Sequence, residues 1–122
     1  MLTIYHNTRC SKSREALALT QQFASQHAIE LDVIDYQKTP LTREQLVALH
    51  AALQRMQPIS VREVMRTNED IYAALKLDNA DDEALLNALA AHPILLQRPI
   101  IQFGPQAIIA RPPERTHLLL KV

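Results

Sequence analysis

A strand, a short polar loop and a helix follow one another at the start of this 122-residue chain, and the loop carries its only cysteine. The apolar strand pattern ends at Tyr5, and a helical pattern opens at Ser11, which we expect to be the helix cap. Cys10 therefore stands at a helix N-terminus, where unpaired N–H groups and the helix dipole favour the thiolate. The nearby basic residues are Arg9, Lys12 and Arg14. These polar and basic neighbours favour a reactive cysteine over a buried structural one.

Composition excludes several classes of protein. The 13 basic and 13 acidic residues give no net charge, whereas a polyanion-binding surface normally shows a basic excess, so we expect no nucleic-acid partner. No apolar run approaches the roughly 20 residues of a membrane helix, and the first residues lack the pattern of a signal peptide. A single cysteine forms no internal disulfide and no multi-cysteine zinc site. We therefore expect one domain spanning residues 1–122 in the reducing cytoplasm, with no membrane association.

Strand patterns occur at both ends of the chain. Residues 30–36 alternate polar and apolar, which predicts a half-buried strand. Together with the first strand and helix, this segment predicts a βαβ unit with a parallel pair. Residues 99–103 and 106–110 flank Gly104, the only glycine, and predict a hairpin whose turn needs a positive φ. The chain is thus expected to be an α/β protein with a four-stranded sheet, followed by a short last helix.

The middle of the chain is helical in pattern. Residues 42–45 and 60–63 both form capping boxes, each of which predicts the start of a helix. The second helix is expected to be short and to contain Val64 and Met65. We therefore expect a helical insertion from about residue 40 to 92 between the two parts of the chain that contain strands.

Several segments carry a family resemblance. Residues 6–14, with the sequence HNTRCSKSR, resemble the active-site loop of the glutaredoxin-dependent arsenate reductases, a branch of the thioredoxin-like superfamily. The resemblance continues in the same order at residues 61–66, 92–100 and 111–114. Thr8 stands where the family usually has proline, which removes a fixed φ but no reacting group. The resemblance implies a thioredoxin-like fold with a mixed four-stranded sheet and a helical insertion lobe.

The resemblance also implies roles for individual residues. Cys10 is similar to the family's nucleophile, and His6 to a histidine that helps form or hold the thiolate, although the sequence alone fits a loop histidine without a role equally well. Arg66, Arg98 and Arg111 resemble the family's arginine triad, and planar guanidinium groups suit an oxyanion such as arsenate. Taken singly, each arginine is more typical of a solvated surface residue, although Arg98 and Arg111 stand beside prolines at strand ends, where thioredoxin-like sites form.

Four further residues are expected to support the loop. Asn7 fits a loop-shaping Asx role, with an ordinary loop position as the alternative. Ser11 caps the helix, as above. Ser13 occupies the place of the second cysteine of a C-x-x-C motif, and the sequence favours an ordinary first-turn residue there. Pro99 resembles the superfamily's cis-proline, whereas an X–Pro bond without this resemblance is expected to be trans.

These features lead to a hypothesis about function with two alternatives. The resemblance implies an arsenate reductase that uses Cys10 together with glutathione as co-substrate and glutaredoxin as partner, without a bound cofactor or metal. One alternative is a regulator of the Spx type, which shares the fold and binds RNA polymerase but usually carries a C-x-x-C switch that Ser13 interrupts. The other is a thiol reductase of the same fold with a different substrate, because a fold does not determine function.

Overall fold

Four strands form one mixed sheet in the computed structural model, which describes residues 1–120. Their order across the sheet is β2-β1-β3-β4. Strand β1 pairs in parallel with β2 and antiparallel with β3, and β3 pairs antiparallel with β4. The strands are β1 (Leu2–His6), β2 (Leu31–Asp35), β3 (Ile100–Phe103) and β4 (Gln106–Ile109). The mixed four-stranded sheet expected from the sequence is confirmed, and the last two residues of the chain lie outside the described part.

Helices cover both faces of this sheet. In residues 1–120 the α-helices are α1 (Ser11–Gln26), α2 (Arg43–Gln54), α3 (Asp70–Ala74), α4 (Asp82–Ala91) and α5 (Thr116–Leu119). Helices α2, α3 and α4 all lie between β2 and β3, where the helical insertion is expected. None of the helices in this part of the chain is long and apolar enough to cross a membrane.

The alternation of side chains along the strands divides the core into two clusters. Ile101 and Ile108 belong to a cluster with α1 and α5, whereas Ile100 and Ala107 belong to a cluster with α2 and α4. Successive strand residues point to opposite faces, so both faces of the sheet are buried. The carboxyl ends of the parallel strands β1 and β2 are thereby left at one edge of the sheet between the two helical layers.

The first capping box forms as predicted. The Thr42 hydroxyl accepts a hydrogen bond from the Gln45 backbone N–H at 3.1 Å, and the Gln45 side chain accepts from the Thr42 N–H at 2.8 Å. Leu41 and Leu46, which flank this box, are both buried in the cluster beneath α2. Local sequence therefore determines where α2 begins.

The second capping box forms but does not start an α-helix. Ser60 and Glu63 exchange side chain to backbone hydrogen bonds of 2.9 and 3.2 Å. Only a 3₁₀ turn, Arg62–Val64, follows. Met65 is extended and forms an antiparallel bridge with Leu96, so the expectation that Met65 is helical was wrong. A tertiary pairing overrides the local helical preference at this point.

The predicted hairpin is confirmed at the other end of the sheet. Strands β3 and β4 pair with Phe103 opposite Gln106. Gly104 lies in the turn between them with a φ of +60°, a conformation that other residues adopt only with strain.

Candidate active site

Cys10, and not Ser11, is the N-cap of α1. Cys10 has extended backbone angles (φ −98°, ψ 122°), and its carbonyl oxygen accepts the first helical hydrogen bond from the Arg14 N–H at 3.0 Å. Ser11 is already helical and its side chain is exposed, so the expectation that Ser11 caps the helix was wrong. The cap position matters because the side chain of an N-cap residue faces the free N–H groups of the second and third helical residues.

The Cys10 thiol is half-buried, and its surroundings favour the thiolate. Partial burial raises the pKa of the thiol, but the Ser13 backbone N–H, the Arg98 guanidinium and the Lys12 backbone N–H together hold the pKa of Cys10 below its ordinary value. Lys12 and Ser13 are the second and third residues of α1, so their N–H groups lower the pKa of the thiol, although the Cys10 side chain forms no capping hydrogen bond.

The positive charge that lowers the pKa of the Cys10 thiol comes from Arg98 and not from its sequence neighbours. Arg98 both approaches the thiol as a hydrogen-bond donor and lowers its pKa by charge. Lys12 instead pairs with Glu15 at 3.8 Å on the exposed side of α1, and Arg14 donates to the Thr8 carbonyl at 3.0 Å. The expectation that Arg9, Lys12 and Arg14 supply the charge is therefore corrected in favour of a residue from the other end of the chain.

Two side chains hold the loop before Cys10. The Asn7 side-chain oxygen accepts from the Arg9 N–H at 3.0 Å, which confirms the predicted Asx role. The Asn7 backbone N–H donates to the Ser13 hydroxyl at 3.0 Å, and Ser13 is fully buried. Ser13 is thus an anchor of the loop, contrary to its interpretation as an ordinary first-turn residue. Within residues 1–120 the Ser11 hydroxyl has no such bond, so the support that we can describe rests on Asn7 and Ser13.

Arg66 and Arg98 lie on two extended segments that pair with each other. The Arg66 N–H donates to the Leu95 carbonyl at 2.7 Å, and the Gln97 N–H donates to the Val64 carbonyl at 2.9 Å. In this antiparallel pairing Arg66 lies opposite Leu95, and Arg98 follows Gln97 at the other end. Both guanidinium groups nevertheless act to lower the pKa of one buried hydroxyl, that of Tyr36. The same tertiary contact that keeps Met65 out of a helix therefore fixes the backbone of both arginines.

Pro99 is buried behind Arg98. The Arg98–Pro99 peptide bond is cis, as the resemblance implies, and the Pro99 carbonyl accepts from the Ala110 N–H at 2.9 Å. This bond continues the pairing of β3 and β4 and brings the chain at Arg111 next to the Arg98–Pro99 segment. The Arg111–Pro112 bond is also cis, which the sequence did not predict.

The Arg111 side chain is not gathered with the other two arginines. It is exposed and lines a shallow groove together with Glu63, Gln97 and Arg115. In the described part of the chain no hydrogen bond joins it to Cys10, Arg66 or Arg98. The structure therefore brings together two members of the expected triad, and the substrate-binding role of all three stays a prediction.

His6 ends β1 and is buried beside the loop. Burial lowers the pKa of His6, with the neighbouring Asp35 carboxylate acting in the opposite direction, and its Nδ1 atom has no hydrogen-bond partner. The imidazole is thus favoured in its neutral form. Because His6 is absent from the groups that lower the pKa of Cys10, its expected support of the thiolate stays a prediction.

Tyr36 is a site residue that sequence reasoning missed. It follows β2 directly, it is fully buried, and its hydroxyl has no hydrogen-bond partner. Burial raises the pKa of the Tyr36 hydroxyl, while the Arg98 guanidinium, the Asn7 side chain and the Arg66 charge act to lower it. The parallel pairing of β1 and β2 could have indicated this position, because the carboxyl ends of parallel strands meet at one edge.

The arrangement combines a nucleophile with groups that bind anions. A thiolate at a helix N-terminus can attack an electrophilic centre, and a guanidinium beside it can hold oxygens of an oxyanion two at a time. No group of three or more histidine, cysteine, aspartate or glutamate side chains in residues 1–120 is placed to hold a metal ion. The geometry suits nucleophilic thiol chemistry on a small oxyanion.

Comparisons with known proteins agree with this architecture. Residues 5–118 match the family model described as the ArsC family. The chain is 39% identical over 121 residues to a protein named arsenate reductase from Neisseria meningitidis serogroup A, covering 98% of this chain and 97% of that protein. It is 41% identical over 113 residues to one of the same name from Haemophilus influenzae, covering 91% of each.

A solved structure shares both the fold and much of the sequence. The structure titled arsenate reductase from Vibrio cholerae superposes with a TM-score of 0.82 at 40% identity, covering 98% of this chain and 96% of that one. The family match spans residues 5–118, and the superposition covers nearly the whole chain. Both therefore include the sheet, the Cys10 loop and the helical insertion. The chain belongs to the ArsC family.

Proposed function

We propose that this protein is an arsenate reductase in which Cys10 is the nucleophile. The observation that carries the proposal is the environment of the Cys10 thiol, whose pKa is held below its ordinary value by the N-terminus of α1 and by Arg98. The relatives named arsenate reductase support the choice of arsenate as the oxyanion.

The first step forms a bond between sulfur and arsenic. The Cys10 thiolate attacks arsenic(V), the As–S bond forms, and one As–O bond breaks so that its oxygen leaves as water after protonation. Arg98 and Arg66 bind oxygens of the arsenate during this step. Arg111 reaches the remaining oxygens by turning from its exposed groove, since its backbone lies beside the Arg98–Pro99 segment.

The second step transfers two electrons to arsenic. A glutathione thiolate attacks the Cys10 sulfur, the S–S bond forms, and the S–As bond breaks with its electron pair going to arsenic. Arsenic(V) thereby becomes arsenic(III) and leaves as arsenite, while two thiols are oxidised to one mixed disulfide. A glutaredoxin thiol then attacks that disulfide and restores Cys10.

The need for an external thiol follows from the sequence. Cys10 is the only cysteine of the chain, so it closes no internal disulfide. Ser13, at the position of the second cysteine of a C-x-x-C motif, offers a hydroxyl that is already bonded to the Asn7 N–H. Glutathione is the abundant small thiol of a reducing cytoplasm, and we place the protein there.

A single-turnover experiment tests whether Cys10 and one glutathione together supply the two electrons that reduce arsenate. The purified protein is mixed with arsenate and glutathione but without glutaredoxin. We expect about one arsenite released per protein molecule and, by mass spectrometry, one glutathione on Cys10. Absence of arsenite with every thiol donor, together with binding to RNA polymerase, would instead favour the regulator of the Spx type.

A further inference from the structure

The buried polar atoms that lack a hydrogen-bond partner concentrate in the Cys10 site. Within residues 1–120 such atoms occur at His6, Tyr36, Arg66, Arg98 and Thr116. Arg66 and Arg98 both act on the Tyr36 hydroxyl, and His6 precedes the Cys10 loop at the end of β1. Arg66 keeps an ion pair with Glu69 at 3.5 Å, and the proposed mechanism gives the Tyr36 hydroxyl no role. Buried polar groups are nearly always bonded, so unpaired ones gathered in one place require an explanation.

The position of Tyr36 is fixed by the sheet. In the parallel register of β1 and β2, His6 lies opposite Asp35, so the next residues along the two strands are Asn7 and Tyr36. Tyr36 belongs to the hydrophobic cluster that joins the sheet to α2 and α4, and none of its surface is exposed. Its ring is therefore held by packing, and its hydroxyl is presented at a defined point beside Arg98 and the Cys10 loop.

The chemistry of the two groups is complementary. A guanidinium only donates hydrogen bonds, whereas a neutral tyrosine hydroxyl can accept one and still donate its own proton. Burial keeps the Tyr36 hydroxyl neutral, because it raises the pKa above its ordinary value. Arg98 thus lies near both the Cys10 sulfur and the Tyr36 hydroxyl, and it acts on the pKa of each.

We infer that Tyr36 is a positioning residue of this site, whose hydroxyl directs the Arg98 guanidinium toward the Cys10 sulfur and toward an oxyanion bound there. The inference rests on the proposed function only for the identity of that oxyanion. Tyr36 acts through Arg98, so its contribution disappears when Arg98 is removed.

The Tyr36 hydroxyl has no hydrogen-bond partner in the free protein, and this predicts how its removal changes stability. A buried hydroxyl without a partner destabilises the fold, so Tyr36→Phe, which keeps the ring, leaves the unfolding midpoint unchanged or raises it. The same variant removes the hydroxyl oxygen that lies near Arg98. We expect the Cys10 pKa to rise and the Kd for arsenate to increase roughly fivefold, the equivalent of one ordinary hydrogen bond.

Tyr72 provides a matched control. It is also a buried tyrosine next to an arginine, and its hydroxyl accepts a hydrogen bond from Arg62 at 2.6 Å in the helical lobe. Tyr72→Phe removes a bond that exists in the free protein. We expect it to lower the unfolding midpoint and to leave the Cys10 pKa unchanged, the opposite pattern to Tyr36→Phe.

The experiment compares Tyr36→Phe, Arg98→Ala and the double variant by iodoacetamide labelling of Cys10 over pH and by calorimetric binding of arsenate. The expected result is non-additive, with Tyr36→Phe raising the Cys10 pKa only when Arg98 is present. An unchanged Cys10 pKa in Tyr36→Phe, or an equal shift with and without Arg98, would overturn the inference. The labelling measures the Cys10 pKa without turnover. Failure to reduce arsenate would therefore contradict the proposed function but would not affect the test of Tyr36.

Discussion

At the scale of single residues, the reactivity of Cys10 depends on two kinds of neighbour. The backbone N–H groups of Lys12 and Ser13 come from its own helix, whereas Arg98 comes from the loop before β3. The first kind follows from the position of a helix start and the second requires the fold. The two contributions can be separated by mutation, because the N–H groups survive any change of side chain.

We predict that Arg98→Ala raises the Cys10 pKa, because it removes both a charge and a donor from the surroundings of the thiolate. Arg98→Lys is expected to restore part of the shift, since it keeps the charge but loses the planar donor pair. Alkylation of Cys10 as a function of pH measures this. Arg9→Ala is the control, being next to Cys10 in sequence and exposed. A larger effect of Arg9 than of Arg98 would restore the interpretation that local charges control the thiol.

Ser11 and Ser13 form a natural pair for testing the loop. Ser13→Ala leaves the buried Asn7 N–H without its acceptor, which should destabilise the protein by about 1–3 kcal/mol. Ser11→Ala changes an exposed helical residue and should shift stability by less than about 0.5 kcal/mol. Urea unfolding of the two variants decides between them, and equal losses would contradict the anchoring role of Ser13.

The residues that local sequence patterns identified are those whose role is local, whereas Arg98 and Pro99 were identified through the family resemblance. Cys10 at a helix start and the Asx turn of Asn7 follow from residues a few positions away. Ser13 could be told from Ser11 only once the loop was seen to fold back over α1. Tyr36 needed the parallel register of β1 and β2, a contact between segments distant in sequence. Such long-range pairings are set by the whole core and leave little trace in a local pattern.

At the scale of elements, the helical lobe is held by caps and by one arginine. The helix start at Thr42 was predictable because its capping bonds span only three residues. The extended segment at Met65 was not, because its pairing with Leu96 competes with a good capping box. This element carries Arg66, so the least predictable backbone of the lobe holds one of the predicted substrate-binding residues.

Arg62 connects the turns of this lobe. Its guanidinium donates to the Tyr72 hydroxyl and to the carbonyls of Leu77 and Ala80 at 2.6, 2.7 and 2.8 Å. We predict that Arg62→Ala destabilises the protein by about 2–4 kcal/mol, since three acceptors lose a charged donor. The Cys10 pKa should stay unchanged. Thermal unfolding and alkylation of the same variant check both parts, and a shifted Cys10 pKa would show that Arg62 belongs to the site.

At the scale of the whole molecule, stability should depend on the protonation of His6. Its pKa is lowered by burial, so as the pH falls the unfolded state binds the proton first, at an ordinary value of about 6.5. This contribution to stability is complete above about pH 6.5 and decreases as the pH falls toward the folded-state pKa. Asp35 and Arg14, which also face His6, act in opposite directions.

We therefore predict that the free energy of unfolding falls as the pH drops below about 6.5, and that it falls less in His6→Asn. Urea unfolding of both proteins over this range measures the difference between their pH profiles. Parallel profiles would mean that the buried imidazole does not control stability in this range.

The central hypothesis is that Cys10 reduces arsenate and that glutathione is the thiol that completes each turnover. The most direct measurement is arsenite formation with glutathione and glutaredoxin, repeated with glutathione withheld and thioredoxin with its reductase supplied. We predict sustained turnover only when glutathione is present, and none at all with Cys10→Ser. Sustained turnover with thioredoxin alone, or any turnover by Cys10→Ser, would contradict the claim.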